Sequence, residues 1–179
     1  MTAEEPELSH PVRLDRVTGA PLTVSLRPDA AARAALAQRF ELVAVHSFAA
    51  ELTVRRRPES GWIEVSGPLT AEVVQTCVAT MEPVPAAVRA DVHELFDDSG
   101  ELDGVEVDLD PMAEAPEPVS GGSLDIGEIA AQTFGLALDP YPRAEGVAPV
   151  EIGTESDDPG NRSPFSELAA LRGRTVKKA

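Results

Sequence analysis

Apolar and polar residues alternate along three long stretches between residues 42 and 96. The first has apolar residues on one parity at Leu42, Ala44, Phe48, Ala50, Leu52 and Val54. The second, which is the longest, has them at Ile63, Val65, Leu69, Ala71, Val73, Cys77, Ala79 and Met81. The third has them at Val84, Ala86, Val88, Ala90, Val92 and Phe96. Period-2 alternation is typical of half-buried strands, and short connections between neighbouring strands favour an antiparallel meander.

Proline, glycine and polar residues predict where these strands bend and turn. Gly67-Pro68 interrupts the second stretch and predicts a bend or bulge. Glu82-Pro83-Val84-Pro85 predicts the turn into the third strand, and the polar segment 55–61 predicts a hairpin connection between the first two. His46 lies on the apolar parity of the first stretch, so we expect its imidazole in the core or at the sheet edge.

Two short strands and a helix are predicted before the meander. HPVRLDRV and PLTVSL, joined by a turn at residues 18–21, have the pattern of strands. The alanine-rich segment AARAALAQRF then predicts a helix that begins after Asp29, whose carboxylate can cap it.

A second helix is predicted after Asp125. That carboxylate can accept hydrogen bonds from free backbone N–H groups, and Glu128, three residues later, would complete a capping box. An apolar stripe follows at Ile129, Ala130, Phe134, Ala137 and Leu138. Asp139-Pro140 ends the helix, because a residue that precedes proline is pushed out of the helical region.

Together these elements predict an α+β protein. We expect one domain over residues 1–145, made of an antiparallel β-meander that could be partly closed like a barrel, and two short helices. The acidic stretch 97–123 predicts a mobile loop, in which Val105, Val107 and Leu109 could form a short edge strand. Residues 146–179 predict a flexible tail with a short helix over 164–171.

The net charge of −16 is concentrated in one part of the chain. Residues 1–89 contain 9 basic and 11 acidic side chains, residues 90–142 contain 14 acidic and none that is basic, and residues 143–179 contain 6 of each. A surface of this kind repels phosphate and attracts basic partners such as ribosomal proteins. The charge distribution therefore argues against wide-area contact with nucleic acid.

The sequence contains no constellation that would indicate an enzyme. The three histidines, His10, His46 and His93, lie in separate segments without metal-ligand spacing, and no phosphate-binding loop or nucleophile elbow is present. Cys77 lies on an apolar parity and predicts a buried structural thiol. No apolar run reaches the length of a membrane span, and no signal peptide begins the chain, so we expect a cytoplasmic protein with no cofactor.

One acidic run resembles a calcium loop only in part. Glu101, Asp103 and Asp110 would occupy positions 3, 5 and 12 of an EF-hand, with Gly104 at position 6, but Ser99 would stand at position 1 and no helix is predicted after the loop. A solvated charged loop is the interpretation that we favour for this run. A divalent-metal protein with hydrolytic activity stays an alternative of low weight.

Three segments in this order resemble the YceD family. They are VSGPLTAEVVQTCVATMEPVPAAV (Val65 to Val88), LDIGEIAAQTFGLALDPYPR (Leu124 to Arg143) and NRSPFSELAAL (Asn161 to Leu171), with the acidic linker between the first two. The family's characteristic residues map to Gly67, Cys77, Glu82, Pro83, Asp125, Glu128, Leu138, Pro140, Tyr141, Pro142 and Arg143. In many relatives a second cysteine follows the first at C-x-x-C spacing. Here Thr80 stands at that place, which removes the case for a metal knuckle.

The resemblance implies a non-catalytic factor that supports accumulation of large-subunit ribosomal RNA. Our first hypothesis is that the acidic stretch binds a basic ribosomal protein or a pre-ribosomal particle. The candidate contacts, chosen for charge in the acidic stretch and for hot-spot residue type on the proline-stiffened segment, are Asp97, Asp98, Glu101, Asp103, Tyr141 and Arg143. The alternative is direct RNA binding through Arg55, Arg56 and Arg57 and the basic segment 172–178.

Overall fold

The computed structural model describes residues 6–99 and 115–147. Within these ranges the chain forms seven strands and two α-helices, with a single 3₁₀ turn at Leu14–Arg16. In chain order the elements are β1 (Pro11–Arg13), β2 (Leu22–Leu26), α1 (Ala30–Arg39), β3 (Ala44–Arg56), β4 (Ile63–Thr76), β5 (Pro83–Asp97), β6 (Glu117–Pro118), β7 (Ser123–Asp125) and α2 (Ile126–Leu136).

The predicted antiparallel meander is confirmed. Five strands form one sheet in the order β2-β3-β4-β5-β6, and β1 and β7 pair separately as a two-stranded ribbon. All pairs are antiparallel except β5 with β6, which is parallel. The large sheet is open and does not close into a barrel. The protein therefore has the expected α+β fold. The partial closure into a barrel, which the sequence pattern allowed, does not occur.

Both helices begin at the predicted aspartates. The Asp29 carboxylate accepts a hydrogen bond from the backbone N–H of Ala32 at 2.9 Å, and Asp125 accepts from the N–H groups of Gly127 and Glu128 at 3.0 and 3.2 Å. Each aspartate therefore satisfies backbone donors that the first helical turn leaves free.

Helix α2 covers the inner face of the sheet and completes the core. Phe134 is fully buried, and its ring meets Phe40 and Phe48 edge to face with centroid distances of 5.4 and 5.5 Å. Phe40 follows α1 and Phe48 lies on β3, so these three rings join both helices to the sheet. Such aromatic pairs add stabilisation beyond the apolar area that they bury.

The predicted turn at Pro83–Pro85 is wrong in its position. Strand β4 ends at Thr76, the chain turns through residues 77–82, and both prolines lie inside β5, with Pro85 opposite Val74. Along this part of β5, β4 is the paired neighbour among the described strands. Proline is tolerated there because its missing N–H faces an edge that needs no ladder hydrogen bond.

Gly67 lies in the middle of β4, which runs through the predicted interruption. Pairing of β4 with β5 continues across Gly67 and Pro68, whereas pairing with β3 lapses at these two residues. The backbone of Gly67 has a φ of +148°, and a Cβ placed on it would lie 2.2 Å from the carbonyl oxygen of Glu51. Glycine is therefore required by the close approach of two backbones.

The prediction for His46 is also corrected. The register between β3 and β4 shifts between Val45 and Ser47, so the residue between them leaves the apolar parity. His46 is exposed as a result. A bulge reverses the alternation that the sequence pattern assumed.

The chain divides into two units, one up to Glu145 and one from Gly146 onward. The predicted helix over 164–171 and the predicted edge strand at Val105–Leu109 lie outside the described residues. Inside the predicted loop 97–123, Glu117–Pro118 form strand β6 beside the end of β5. The flexibility of the loop and of the tail stays a prediction.

Candidate partner-binding surface

The three consecutive arginines at the end of β3 and directly after it, Arg55 to Arg57, are held by the protein's own carboxylates. Arg55 Nη2 donates to both oxygens of Glu64 at 2.9 and 3.0 Å, and Arg57 Nε donates to Glu64 Oε2 at 2.6 Å. Arg56 forms a two-pronged pair with Asp98 at 2.9 and 2.7 Å and also donates to the carbonyl oxygen of Gly61. The structure thus places these guanidinium groups in an ion-pair cluster.

Glu64 is a charged residue in the core of this cluster, with 4% of its surface exposed. Burial raises the pKa of its carboxyl, but the hydrogen bonds from Arg57 and Arg55 lower it, and the net direction is downward. Glu64 therefore stays ionised at neutral pH and keeps two arginines oriented. Buried carboxylates need such partners, because an unpaired buried charge is strongly destabilising.

The predicted acidic contacts divide between those the structure describes and those it does not. Asp98 is engaged by Arg56, which lowers the pKa of the Asp98 carboxyl mainly through the side-chain hydrogen bond. The carboxylate of Asp97 accepts a hydrogen bond from the backbone N–H of Ser99 at 2.9 Å. Glu101 and Asp103 lie outside the described residues, as do Gly104 and Asp110 of the calcium-like run.

A groove of about 340 Å³ lies between α2 and the end of the sheet at β5 and β6. Its lining combines apolar, neutral polar and acidic side chains: Glu94, Phe96, Glu117, Leu124, Asp125, Glu128, Ile129, Gln132, Thr133 and Leu136. We call it the acidic groove. In the described part of the chain, Glu94 and Glu117 form no ion pair, so their charge is available to a cation from outside.

The other two carboxylates of the acidic groove have structural partners. Asp125 accepts hydrogen bonds from the Ser9 hydroxyl at 2.6 Å and the His10 N–H at 2.7 Å in addition to capping α2. Burial raises the pKa of Asp125, but these bonds lower it further than burial raises it.

Glu128 does not complete the predicted capping box. Its oxygens accept from Arg39 at 2.7 and 2.8 Å, and Arg39 also donates to Glu7 at 2.9 Å. The hydrogen bond from Arg39 is the main cause that lowers the pKa of Glu128. The charge of a guanidinium from α1 is a stronger attraction for this side chain than the backbone N–H of Asp125.

The proline-stiffened segment after α2 is fixed to the turn between β4 and β5. The Val78 N–H donates to the carbonyl oxygen of Pro142 at 2.9 Å, and Gln75 Nε2 donates to the carbonyl oxygen of Asp139 at 2.8 Å. The Ala144 N–H donates to Cys77 Sγ at 3.4 Å. The structure thereby brings together two parts of the chain that are more than 60 residues apart in sequence, and Tyr141 and Arg143 lie exposed between these anchors.

Cys77 is buried, as predicted, and its sulfur is a hydrogen-bond acceptor. The hydrogen bond from the Thr80 side chain, followed by those from the backbone N–H groups of Ala144, Ala79 and Thr80, lowers the pKa of Cys77 to about 6. Burial acts in the opposite direction and is the smaller effect. The sulfur of Cys77 therefore anchors the segment 139–145. Because it is buried, it is not accessible to dissolved reagents.

Six large apolar side chains are exposed in the described residues. Five of them lie at the end of the sheet where β3 begins and where the chain turns from β4 into β5. Their exposed fractions are Val43 57%, Val78 47%, Met81 75%, Leu136 88% and Tyr141 73%. We call this set the apolar end. Of these residues, only Tyr141 was a predicted contact, and Met81 was predicted to lie on the apolar face of a strand. The turn at 77–82 and the end of α2 at Leu136 expose them.

Nothing in the described part of the chain indicates a metal centre or a membrane segment. No group of three or more His, Cys, Asp or Glu side chains converges within residues 6–99 and 115–147. No helix in those ranges is long and apolar enough to cross a membrane.

Comparison with known proteins gives a family match. Neither the curated proteins nor the solved structures contain a match to this chain. A family model described as "Large ribosomal RNA subunit accumulation protein YceD" matches residues 65–172. The matched region begins in β4 and includes the turn at 77–82, the acidic groove and the segment 139–145.

Proposed function

Because the chain belongs to the YceD family, whose role lies in accumulation of large-subunit ribosomal RNA, we propose that it acts by binding a basic ribosomal protein or a pre-ribosomal particle in the cytoplasm. The family is a family of accumulation factors and not one of known enzymes. In this proposal the protein supports ribosome assembly without catalysing a reaction.

The charge of the surface carries this proposal. Residues 90–142 contain 14 acidic side chains and none that is basic. Within the described residues, five of them accept hydrogen bonds from the protein itself: Asp97, Asp98, Asp125, Glu128 and Asp139. Glu94 and Glu117 have no cationic partner in the described part of the chain. A lysine or arginine from a ribosomal protein could pair with them, and charge complementarity would mainly accelerate association.

Affinity purification with charge variants tests this proposal. Glu94→Gln/Glu117→Gln removes two charges from the acidic groove, and Glu51→Gln/Glu72→Gln removes two from exposed positions on β3 and β4 as a matched control. We expect the first pair to reduce recovery of large-subunit ribosomal proteins, identified by mass spectrometry, and the control pair to leave it unchanged. Recovery of the native protein's partner should fall between about 0.1 M and about 1 M salt, where the screening length shrinks from about 10 to about 3 Å.

Variants of Glu101 and Asp103, which lie outside the described residues, test the rest of the predicted acidic contacts in the same assay. If no ribosomal protein or precursor RNA is recovered with the native chain at low salt, the proposal fails. Equal losses with the groove pair and the control pair would show that only the net charge matters and that the acidic groove is not the site.

Direct RNA binding stays the alternative, and one observation favours it. A groove of about 520 Å³ is lined by Arg55, Arg56, Arg57 and Trp62, and an aromatic ring beside guanidinium groups is a typical platform for an unpaired base. The ion pairs with Glu64 and Asp98 oppose it, because phosphate would have to compete with carboxylates already in place.

The substitution Glu64→Gln distinguishes RNA binding by the arginines from a purely structural role in ion pairs. If the arginines bind RNA, removal of their carboxylate partner should raise affinity for ribosomal RNA, and Arg55→Ala should lower it. No change in either variant would count against the alternative. The divalent-metal hypothesis is tested independently by calorimetry with calcium and magnesium, where the absence of heat would dispose of it.

A further inference from the structure

The apolar end combines side chains that are costly to leave in water with a backbone that is already fixed. Leu136 is the last residue of α2 and is almost fully exposed, and Tyr141 follows it on a segment stiffened by two prolines. Met81 has a φ of +63° in the turn at 77–82. A left-handed backbone conformation is uncommon at a residue with a large side chain, and it is retained where the surrounding structure fixes it.

A groove of about 580 Å³ opens beside these side chains. It runs between the end of α1, the end of α2 and the segment 139–142, and its lining includes Leu42, Thr76, Leu136, Leu138 and Pro142. The second left-handed residue other than glycine in the described part of the chain, Glu41, lies on the same groove with a φ of +53°. Leu136 belongs both to the groove and to the apolar end, and the Val78 N–H donates to the carbonyl oxygen of Pro142 in the groove lining, so the groove adjoins the apolar end.

Charged groups around this surface are mostly acidic. Glu41 and Asp139 line the groove, Glu82 is the last residue of the turn at 77–82, and Glu145 lies on the anchored segment. Arg143 is the single cation among the residues of the turn and of that segment. A second copy of the chain would bring the same acidic rim against it, so self-association is disfavoured by like charges.

We infer that the apolar end binds an amphipathic segment of a partner protein, whose apolar side chains cover Leu136, Tyr141, Met81 and Val78 while flanking lysines or arginines meet the acidic rim. This inference deepens the proposed function, on which it rests, because it gives the basic ribosomal partner an apolar face as well as a charge. Leu136 lines both this groove and the acidic groove, so one segment could contact both.

A peptide of defined chemistry tests the inference directly. The probe is a fluorescein-labelled 18-residue amphipathic helix of leucine and lysine, and its controls are a scrambled peptide of the same composition and a leucine and glutamate helix. Fluorescence anisotropy with the full-length protein should show binding of the leucine and lysine helix, at least about tenfold weaker binding of the scrambled peptide, and none of the glutamate peptide, as hot-spot contacts predict.

Exposed substitutions locate the site without disturbing the fold. Leu136→Gln/Tyr141→Ser should weaken binding of the leucine and lysine helix at least about tenfold, because both side chains are among the three most exposed of the set. Leu22→Gln removes a partly exposed apolar side chain at the opposite end of the sheet and should have no effect. Circular dichroism and urea unfolding should show that both variants keep the native fold and stability.

Three results would overturn the inference. Equal binding of the amphipathic and scrambled peptides would leave charge alone as the cause. Loss of self-association in Leu136→Gln/Tyr141→Ser, measured by sedimentation, would assign the apolar end to a second copy. If Glu94→Gln/Glu117→Gln abolishes recovery of ribosomal proteins while Leu136→Gln/Tyr141→Ser retains it, the proposed function stands and the apolar end has no part in it.

Discussion

Replacement of Glu64 by glutamine should lower the free energy of unfolding by about 2–3 kcal/mol. The Glu64 side chain is 6% exposed and accepts three hydrogen bonds from two guanidinium groups at 2.6, 2.9 and 3.0 Å. One charge-assisted bond contributes about 1.5–3 kcal/mol, and removal of one partner of a fully buried ion pair costs about 3–5 kcal/mol. The expected loss is smaller than the cost for a fully buried ion pair, because the Arg55 side chain is 53% exposed and its guanidinium group can be hydrated in the variant.

Urea unfolding at pH 7, followed by the fluorescence of Trp62 at the end of the same hairpin, measures this loss. Glu72→Gln is the matched control, since Glu72 is exposed on the same strand and should change stability by less than about 0.5 kcal/mol. The folded-state pKa of Glu64 is lowered, so the difference between native and Glu64→Gln protein should shrink as pH falls through that pKa. If Glu64→Gln costs no more than Glu72→Gln, the ion-pair cluster contributes nothing net and the reasoning is refuted.

Three further predictions follow from local geometry. Gly67→Ala should lower the free energy of unfolding in urea by at least about 3 kcal/mol, because a Cβ would meet the Glu51 carbonyl oxygen at 2.2 Å. Gly61→Ala is the control: its φ is left-handed but nothing lies within 4 Å of the added Cβ, so the loss should be only about 1–2 kcal/mol. Asp125→Asn should be less stable than the native protein at pH 7, and this difference should close as the pH is lowered through the depressed pKa of Asp125; a constant difference would contradict the role of its charge. Cys77 should react with a disulfide reagent more slowly in the native state than in urea despite its lowered pKa, and equal rates would show that the sulfur is accessible.

The sequence predicted those parts of the fold that depend on neighbouring residues. Period-2 alternation identified the three long strands, and Asp29 and Asp125 identified both helix starts, because a cap involves atoms only two or three residues apart. The turn between β4 and β5 was misplaced because proline is common both in turns and on strand edges. Only the partner of each strand decides between these two roles.

The candidate site was harder to predict because it depends on contacts between distant residues. Glu128 has the spacing of a capping box, yet it binds Arg39, which lies 89 residues earlier. Three arginines in a row suggested an RNA contact, and the carboxylates that hold them, Glu64 and Asp98, are identified only by the strand pairing. The apolar end likewise depends on where α2 stops and on how the segment 139–145 is anchored.

Some carboxylates of the protein pair with its arginines and others do not, and this difference explains how a folded domain can keep an acidic surface. Arg39 and the arginines at 55–57 each pair with a carboxylate of the chain itself, so these cations are used in holding helices and strands together. Glu94 and Glu117 have no such partner in the described residues, and the apolar end adjoins them through Leu136. Long-range attraction to a cation increases the rate of encounter, whereas burial of apolar side chains slows dissociation. Under the proposed function, a basic partner that also presents an apolar face would therefore associate quickly and remain bound, whereas the like charge of a polyanion would oppose its approach to these two surfaces.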